Sequence, residues 1–257
     1  AFFVEYMDDT IKTPDDVEKV LELPFLGYVP STGKEEGPIY MFAGPRATVA
    51  ESYRTIRTGI MLSSSDEKPI KVILVTSTTP NEGKTTTAAN LAVAMAQMGE
   101  RVLLIDTDMR RHNLHKVFRL ENLIGISDMI MDPNNIPLGL RTPAESPNLT
   151  VITGGTLAPN PSELLGSVRM RNLIAQFRNE YDRIILDSPP HMAFSDCLVL
   201  SRLADGVVYV VWGGETGREN IRKGIQGIKA VGGRIVGAVL NNIDLSKRSS
   251  YYYYYQY

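Results

Sequence analysis

The sequence predicts an α/β fold, a doubly wound and mainly parallel sheet flanked by helices. Three observations predict it. Apolar runs of strand length recur: KVILVT at 71–76, RVLLI at 101–105, RIIL at 183–186, GVVYVV at 206–211 and RIVGAVL at 234–240. They lack the polar alternation of a half-exposed sheet, as strands buried on both faces do. Helical patterns separate most of them, which implies right-handed crossovers and helices on both faces. The first run leads directly into a Gly83-Lys84-Thr85 loop and a helix. Ligands of such sheets bind beyond the carboxyl ends of the strands.

From the N-terminus, Thr13-Pro14-Asp15-Asp16 predicts a helix start, with Thr13 as cap and Pro14 in the first turn. That helix runs to about Glu22, and an extended segment follows from Phe25 to Val29. Residues 31–44 read as a loop rich in Gly, Lys and Glu. A longer helix spans about Pro45 to Leu62. After the 71–76 strand a helix runs from about Thr85 to Met98 and stops at Gly99. Leu149–Ile152 predicts another strand, and helices are expected near 170–179, 196–203 and 218–231. Three units result: an N-terminal segment (1–44) packed on the domain, a P-loop domain (45–245) and a flexible tail (246–257).

Composition narrows the function. Apolar residues make up 43% of 257 residues, and the net charge of −2 gives no field that draws nucleic acid. One cysteine, Cys197, forms no intramolecular disulfide and suits a reducing compartment; three scattered histidines suggest no zinc site. No stretch reaches the roughly 20 apolar residues of a membrane span. The start at Ala1, apolar and then abruptly acidic at Asp8-Asp9, suggests a piece of a longer protein.

The chemistry is carried by three strand ends. Thr79-Pro80-Asn81-Glu82-Gly83-Lys84-Thr85-Thr86 closely matches the end of the phosphate-binding P-loop, with Thr78 where the pattern has its first glycine. Gly83 lets backbone N–H groups approach phosphate, Lys84 reaches the β- and γ-phosphates, and the Thr85 hydroxyl ligates Mg²⁺. Pro80, Asn81, Glu82 and Thr86 complete the expected nucleotide loop. Asp106-Thr107-Asp108 closes the second strand. Residues two apart share a strand face, so both carboxylates are expected at one spot, where Mg²⁺–ATP offsets their repulsion. Asp187 ends the 183–186 run as a Walker B aspartate does and is a third candidate for the metal.

These motifs together, with D-T-D-M-R-R after the second strand, resemble the bacterial tyrosine kinases (BY-kinases), relatives of the MinD- and ParA-like ATPases that share their fold. Leu114–Phe118, Gly125–Asp128 and Asn160–Leu165 are similar to further family segments. Glu51, Arg54 and Arg57 match the family's oligomerisation motif; their three-residue spacing also suits an intrahelical pair on a solvated face. The resemblance implies the cytoplasmic kinase domain of a Wzc-like polysaccharide co-polymerase in a bacterial inner membrane, lacking its transmembrane segments. It implies an ATP- and Mg²⁺-dependent autokinase in a homo-oligomeric ring, an octamer in the family. A tyrosine phosphatase and the polysaccharide export machinery are the expected partners. From the related ATPases, Asn241 or Asn242 after the last strand is the expected adenine contact.

Six of the twelve tyrosines lie in the last seven residues: Tyr251, Tyr252, Tyr253, Tyr254, Tyr255 and Tyr257. The family carries such a cluster as its autophosphorylation target. Ten residues from Asn241 to Tyr251 extend up to about 35 Å, enough to reach the chain's own site or a neighbour's. In the expected reaction Lys84 offsets phosphoryl charge, Asp106 or Asp108 accepts the tyrosine proton, and the other carboxylates hold the metal shell. A MinD/ParA-type ATPase switch that phosphorylates no protein is the rival reading, and an ATP-stabilised scaffold a second.

Overall fold

The computed structural model describes residues 9–32, 38–42 and 48–244. Seven parallel strands form one sheet: β1 (Phe25–Pro30), β2 (Val72–Ser77), β3 (Val102–Asp106), β4 (Leu149–Ile152), β5 (Arg183–Asp187), β6 (Gly206–Trp212) and β7 (Ile235–Ile243). Their order is β1-β7-β6-β2-β5-β3-β4. The chain therefore winds outward from β2 in both directions, and the carboxyl ends of β2, β3 and β5 lie side by side.

Each apolar run serves both faces. On β2, Val72 and Leu74 join one core cluster, and Ile73 and Val75 join the other. Over the second cluster lie α1 (Thr48–Leu62) and α2 (Lys84–Ala96). Eight of the thirteen α2 residues are alanine or threonine, and residues 87–96 are all buried, so the helix packs flat on the sheet. The other face carries residues of α7 (Val168–Glu180), α8 (Asp196–Ser201) and α9 (Arg218–Ala230). Between them come the short helices α3 (Leu114–Phe118), α4 (Ile126–Met131), α5 (Ile136–Gly139) and α6 (Pro161–Leu165).

The first helix is shorter than its sequence suggests. Thr13 does cap it, accepting from Asp16 N at 3.1 Å, but the turn Asp16–Val20 ends before Glu22, which takes a left-handed φ of 54°. The segment before residue 45 also does more than pack on the domain. Its strand β1 pairs with β7 and forms one edge of the main sheet. Several strands run one to three residues beyond their apolar cores, because ladder hydrogen bonds continue through Asp106, Asp187, Trp212 and Asn241–Ile243. No helix among the described residues is long and apolar enough to cross a membrane. The tyrosine cluster at 251–257 lies outside the described residues, as do Pro45 and the residues before Asp9.

Asp205 fastens the entry of β2. Its carboxylate accepts from Lys71 N (3.0 Å), Val72 N (2.7 Å) and Arg178 (2.7 Å). Burial raises its pKa, but these partners outweigh burial and hold it below the usual value. Asp205→Ala is expected to cost roughly 2–3 kcal/mol, read by denaturant unfolding. Because the folded pKa is depressed, this contribution is complete above the unfolded value of about 4 and disappears as pH falls through the folded one. The stability gap between the two proteins therefore closes in acid.

Candidate active site

The P-loop connects β2 to α2, and its geometry follows from a few residues. Gly83 has φ 87° and Asn81 φ 66°; glycine takes that conformation freely, and asparagine tolerates it better than most residues. Thr78, in place of the pattern's first glycine, is fully buried and its hydroxyl bonds Tyr209 OH at 3.0 Å, so its side chain is occupied by the core. Glu82 is buried too. Its carboxylate accepts from Thr79 N at 2.7 Å and from the Thr216 hydroxyl, while its carbonyl accepts from Asn241 Nδ2 at 2.9 Å. The loop is thus tied to β7 and to the segment after β6.

Lys84 begins α2, is only 8% exposed, and places Nζ 3.8 Å from Asp108 Oδ2. Asp106 and Asp187 are direct cross-strand partners at the ends of β3 and β5. In a parallel pair, residues in register present their side chains to the same face. Asp106 Oδ2 accepts from Asn113 N and Leu114 N at 3.0 and 3.1 Å. Its Oδ1 and both oxygens of Asp187 are buried without a hydrogen-bond partner among the described residues. Such orphaned acceptors are rare in folded proteins and mark a place where a cation fits.

The electrostatics agree. Burial pushes Asp187 up to about 7; the nearby Lys84 cation pulls it back, and Asp108 adds to the rise. Burial and the charge of Asp187 also hold Asp106 well above the usual carboxylate range. Burial is the larger cause of both shifts, and the neighbouring carboxylates add to them.

The strand-face expectation for Asp106 and Asp108 needs correction. Asp106 is the last residue of β3, and Asp108 lies beyond it in a turn, where Oδ1 accepts from Arg110 N and Arg111 N at 3.3 and 3.1 Å. Turn geometry brings Asp108 to Lys84. Among the described residues no three acidic, histidine or cysteine side chains stand together as a metal cage, so these carboxylates form no complete cation site by themselves. Mg²⁺ in phosphate-transfer sites is completed by substrate oxygens and water.

A cavity of about 440 Å³ opens beside the loop, lined by Asn81, Gly83, Lys84, Thr85 and Thr86 and by Asn241 and Asn242. The two asparagines lie within β7 rather than after it, and Asn242 is left-handed with φ 59°. Pro80 and Glu82 line a neighbouring cavity instead. Tyr40, Tyr53, Lys116 and Trp212 line the main cavity and were invisible to motif reading. Tyr40 and Tyr53 stack at 6.5 Å between centroids, a pairing that only the meeting of distant elements reveals. In the oligomerisation motif, Arg54 pairs with Glu51 at 2.8 Å, and Arg57 donates to the Ala94 carbonyl of its own α2 at 2.8 Å.

A family model described as an AAA domain matches residues 70–232. Tyrosine-protein kinase YwqD of Bacillus subtilis is 40% identical over 210 residues, which are 82% of this chain and 88% of that protein. The kinase domain of Escherichia coli tyrosine kinase ETK superposes with TM-score 0.85 at 28% identity, covering 93% of this chain and 97% of that one. The septum site-determining protein MinD of Pyrococcus horikoshii, complexed with Mg-ADP, shares the fold at TM-score 0.57 and 22% identity, over 66% of this chain and 70% of that one. Likeness of this extent to named tyrosine kinases sets aside the switch without protein phosphorylation: the chain belongs to the bacterial tyrosine-protein kinases, on a P-loop domain of the MinD/ParA-like type.

Proposed function

We propose that this kinase transfers the γ-phosphate of ATP to tyrosines of the 251–257 cluster, on a neighbouring copy within a homo-oligomeric ring. The observation that carries this reading is the meeting of Lys84, Asp106, Asp108 and Asp187 at the strand ends beside the 440 Å³ cavity. The nucleotide phosphates lie on the Asn81–Thr86 loop, at the N-terminus of α2. Thr85, Asp108 and Asp187, with Asp106, would hold Mg²⁺, whose charge offsets that of the transferring phosphoryl group. The phenolic oxygen of tyrosine bonds to the γ-phosphorus as the bond to the β–γ bridging oxygen breaks. ADP leaves with that electron pair. The phenolic proton passes to Asp106 or Asp108. Lys84 neutralises charge on the equatorial oxygens.

Each phosphate added to the tail brings about −1.5 to −2 charge. A modified tail is repelled from the acidic strand ends, which makes phosphorylation a release signal for the ring. This cycle, reset by a tyrosine phosphatase, would regulate capsule or exopolysaccharide synthesis and export from the cytoplasmic face of the membrane. Arg57 is held by α2 beneath it, whereas Glu51 is well exposed and Arg54 bonds it on the same row, so Glu51 and Arg54 are the members best placed to meet another subunit.

Transfer between copies is tested by mixing two full-length proteins with γ-labelled ATP. One carries Lys84→Met with an intact tail; the other is active but carries Tyr→Phe at all six tail positions. Label on the Lys84→Met protein is expected. Label absent from both proteins, while the unsubstituted chain labels itself, would mean transfer within one chain.

A further inference from the structure

The loop after Asp187 is bonded to the start of the P-loop and carries two exposed apolar side chains. Ser188, Pro189 and Pro190 are buried, and the next two residues are stitched to the start of the P-loop. His191 N donates to Ser77 O at 2.8 Å and Met192 N to Thr78 O at 3.1 Å. The loop then turns outward, leaving Met192 51% and Phe194 37% exposed.

Facing it is Arg110, whose N–H donates to Asp108 Oδ1. Its guanidinium grips the fully buried Asp196 at 2.9 and 3.1 Å, and the Ser162 hydroxyl closes on the same carboxylate. So anchored, it lies 3.9 Å from the centroid of the Phe194 ring. Single exposed apolar residues are ordinary on a surface. This ring differs, because Arg110, two residues from Asp108 and anchored on the buried Asp196, holds it in place. The same loop is bonded to the segment that leads to Lys84.

We propose that Phe194 and Met192 form the platform on which the acceptor tyrosine lays its ring, with Arg110 positioning Phe194. The occupant is a tyrosine side chain from the 251–257 cluster of a second copy. A phenol ring has an apolar face to cover and a hydroxyl beyond it; serine and threonine have no such face. Offset or edge-to-face aromatic contact on this platform directs the hydroxyl toward Asp108 and selects tyrosine. This rests on the reading of Asp106 or Asp108 as proton acceptor.

The test uses the full-length chain with Tyr→Ser at the six tail positions, so that it does not compete with an added peptide of sequence 246–257. With Phe194→Ala, the KM for the peptide is expected to rise about 10-fold while the KM for ATP stays within about twofold, the size of effect one lost aromatic contact supports. Phe194→Tyr is expected to restore the peptide KM, and Met192→Ala to raise it less. An unchanged peptide KM in Phe194→Ala overturns the proposal. A parallel rise in the KM for ATP also overturns it, since the loop would then merely support the P-loop. Should the parent protein bind ATP yet leave the peptide unmodified, the acceptor assignment behind the platform fails with it.

Discussion

Lys84→Met is expected to lower phosphoryl transfer by at least about 10³-fold, or ~4 kcal/mol of transition-state stabilisation. Methionine keeps most of the length and the apolar stem of lysine at the start of a buried helix, so packing survives. What is lost is the cation that faces Asp108 at 3.8 Å and lies near the orphaned acceptors of Asp187. Steady-state transfer from γ-labelled ATP measures the effect, with a thermal melt to show the fold intact. Activity within tenfold of the parent would mean that another cation carries the phosphoryl charge.

Gly83→Ala should be nearly as severe for a different reason. The residue has φ 87°, where a Cβ costs roughly 1–2 kcal/mol. That Cβ would also stand 2.0 Å from Asn241 Nδ2, the group that donates to the Glu82 carbonyl. Either the loop or β7 must shift, and both line the cavity. Nucleotide affinity is expected to fall about 10²-fold or more, read by titration with Mg–ADP. Gly99→Ala is the matched control: its φ is 88°, but a Cβ there meets nothing among the described residues within 4 Å. It should lose some stability and keep its affinity.

What the sequence revealed and what it hid divide along a physical line. Strands buried on both faces announce themselves by apolar runs, and the P-loop by one glycine and one lysine at fixed spacing, because local backbone geometry demands them. Asp106 and Asp187 were legible because each ends such a run, and adjacency in the sheet brings them together. The Glu82–Thr216 contact joins residues 134 apart, and Arg110–Asp196 joins residues 86 apart. No local rule links such pairs; the crossover topology does. Asp108 lay between these cases. Its identity was readable, but strand spacing gave the wrong reason for its placement, since the turn after β3 carries it to Lys84.

The most direct measurement is a crystal structure of the chain grown with Mg²⁺ and a non-hydrolysable ATP analogue. The phosphates should lie on backbone N–H groups of the Asn81–Thr86 loop with Lys84 at the γ-phosphate. The metal should sit about 2.0–2.1 Å from the Thr85 hydroxyl, with Asp108 or Asp187 bound directly or through water. A nucleotide bound elsewhere, or a metal that leaves all three strand-end aspartates untouched, would contradict the account.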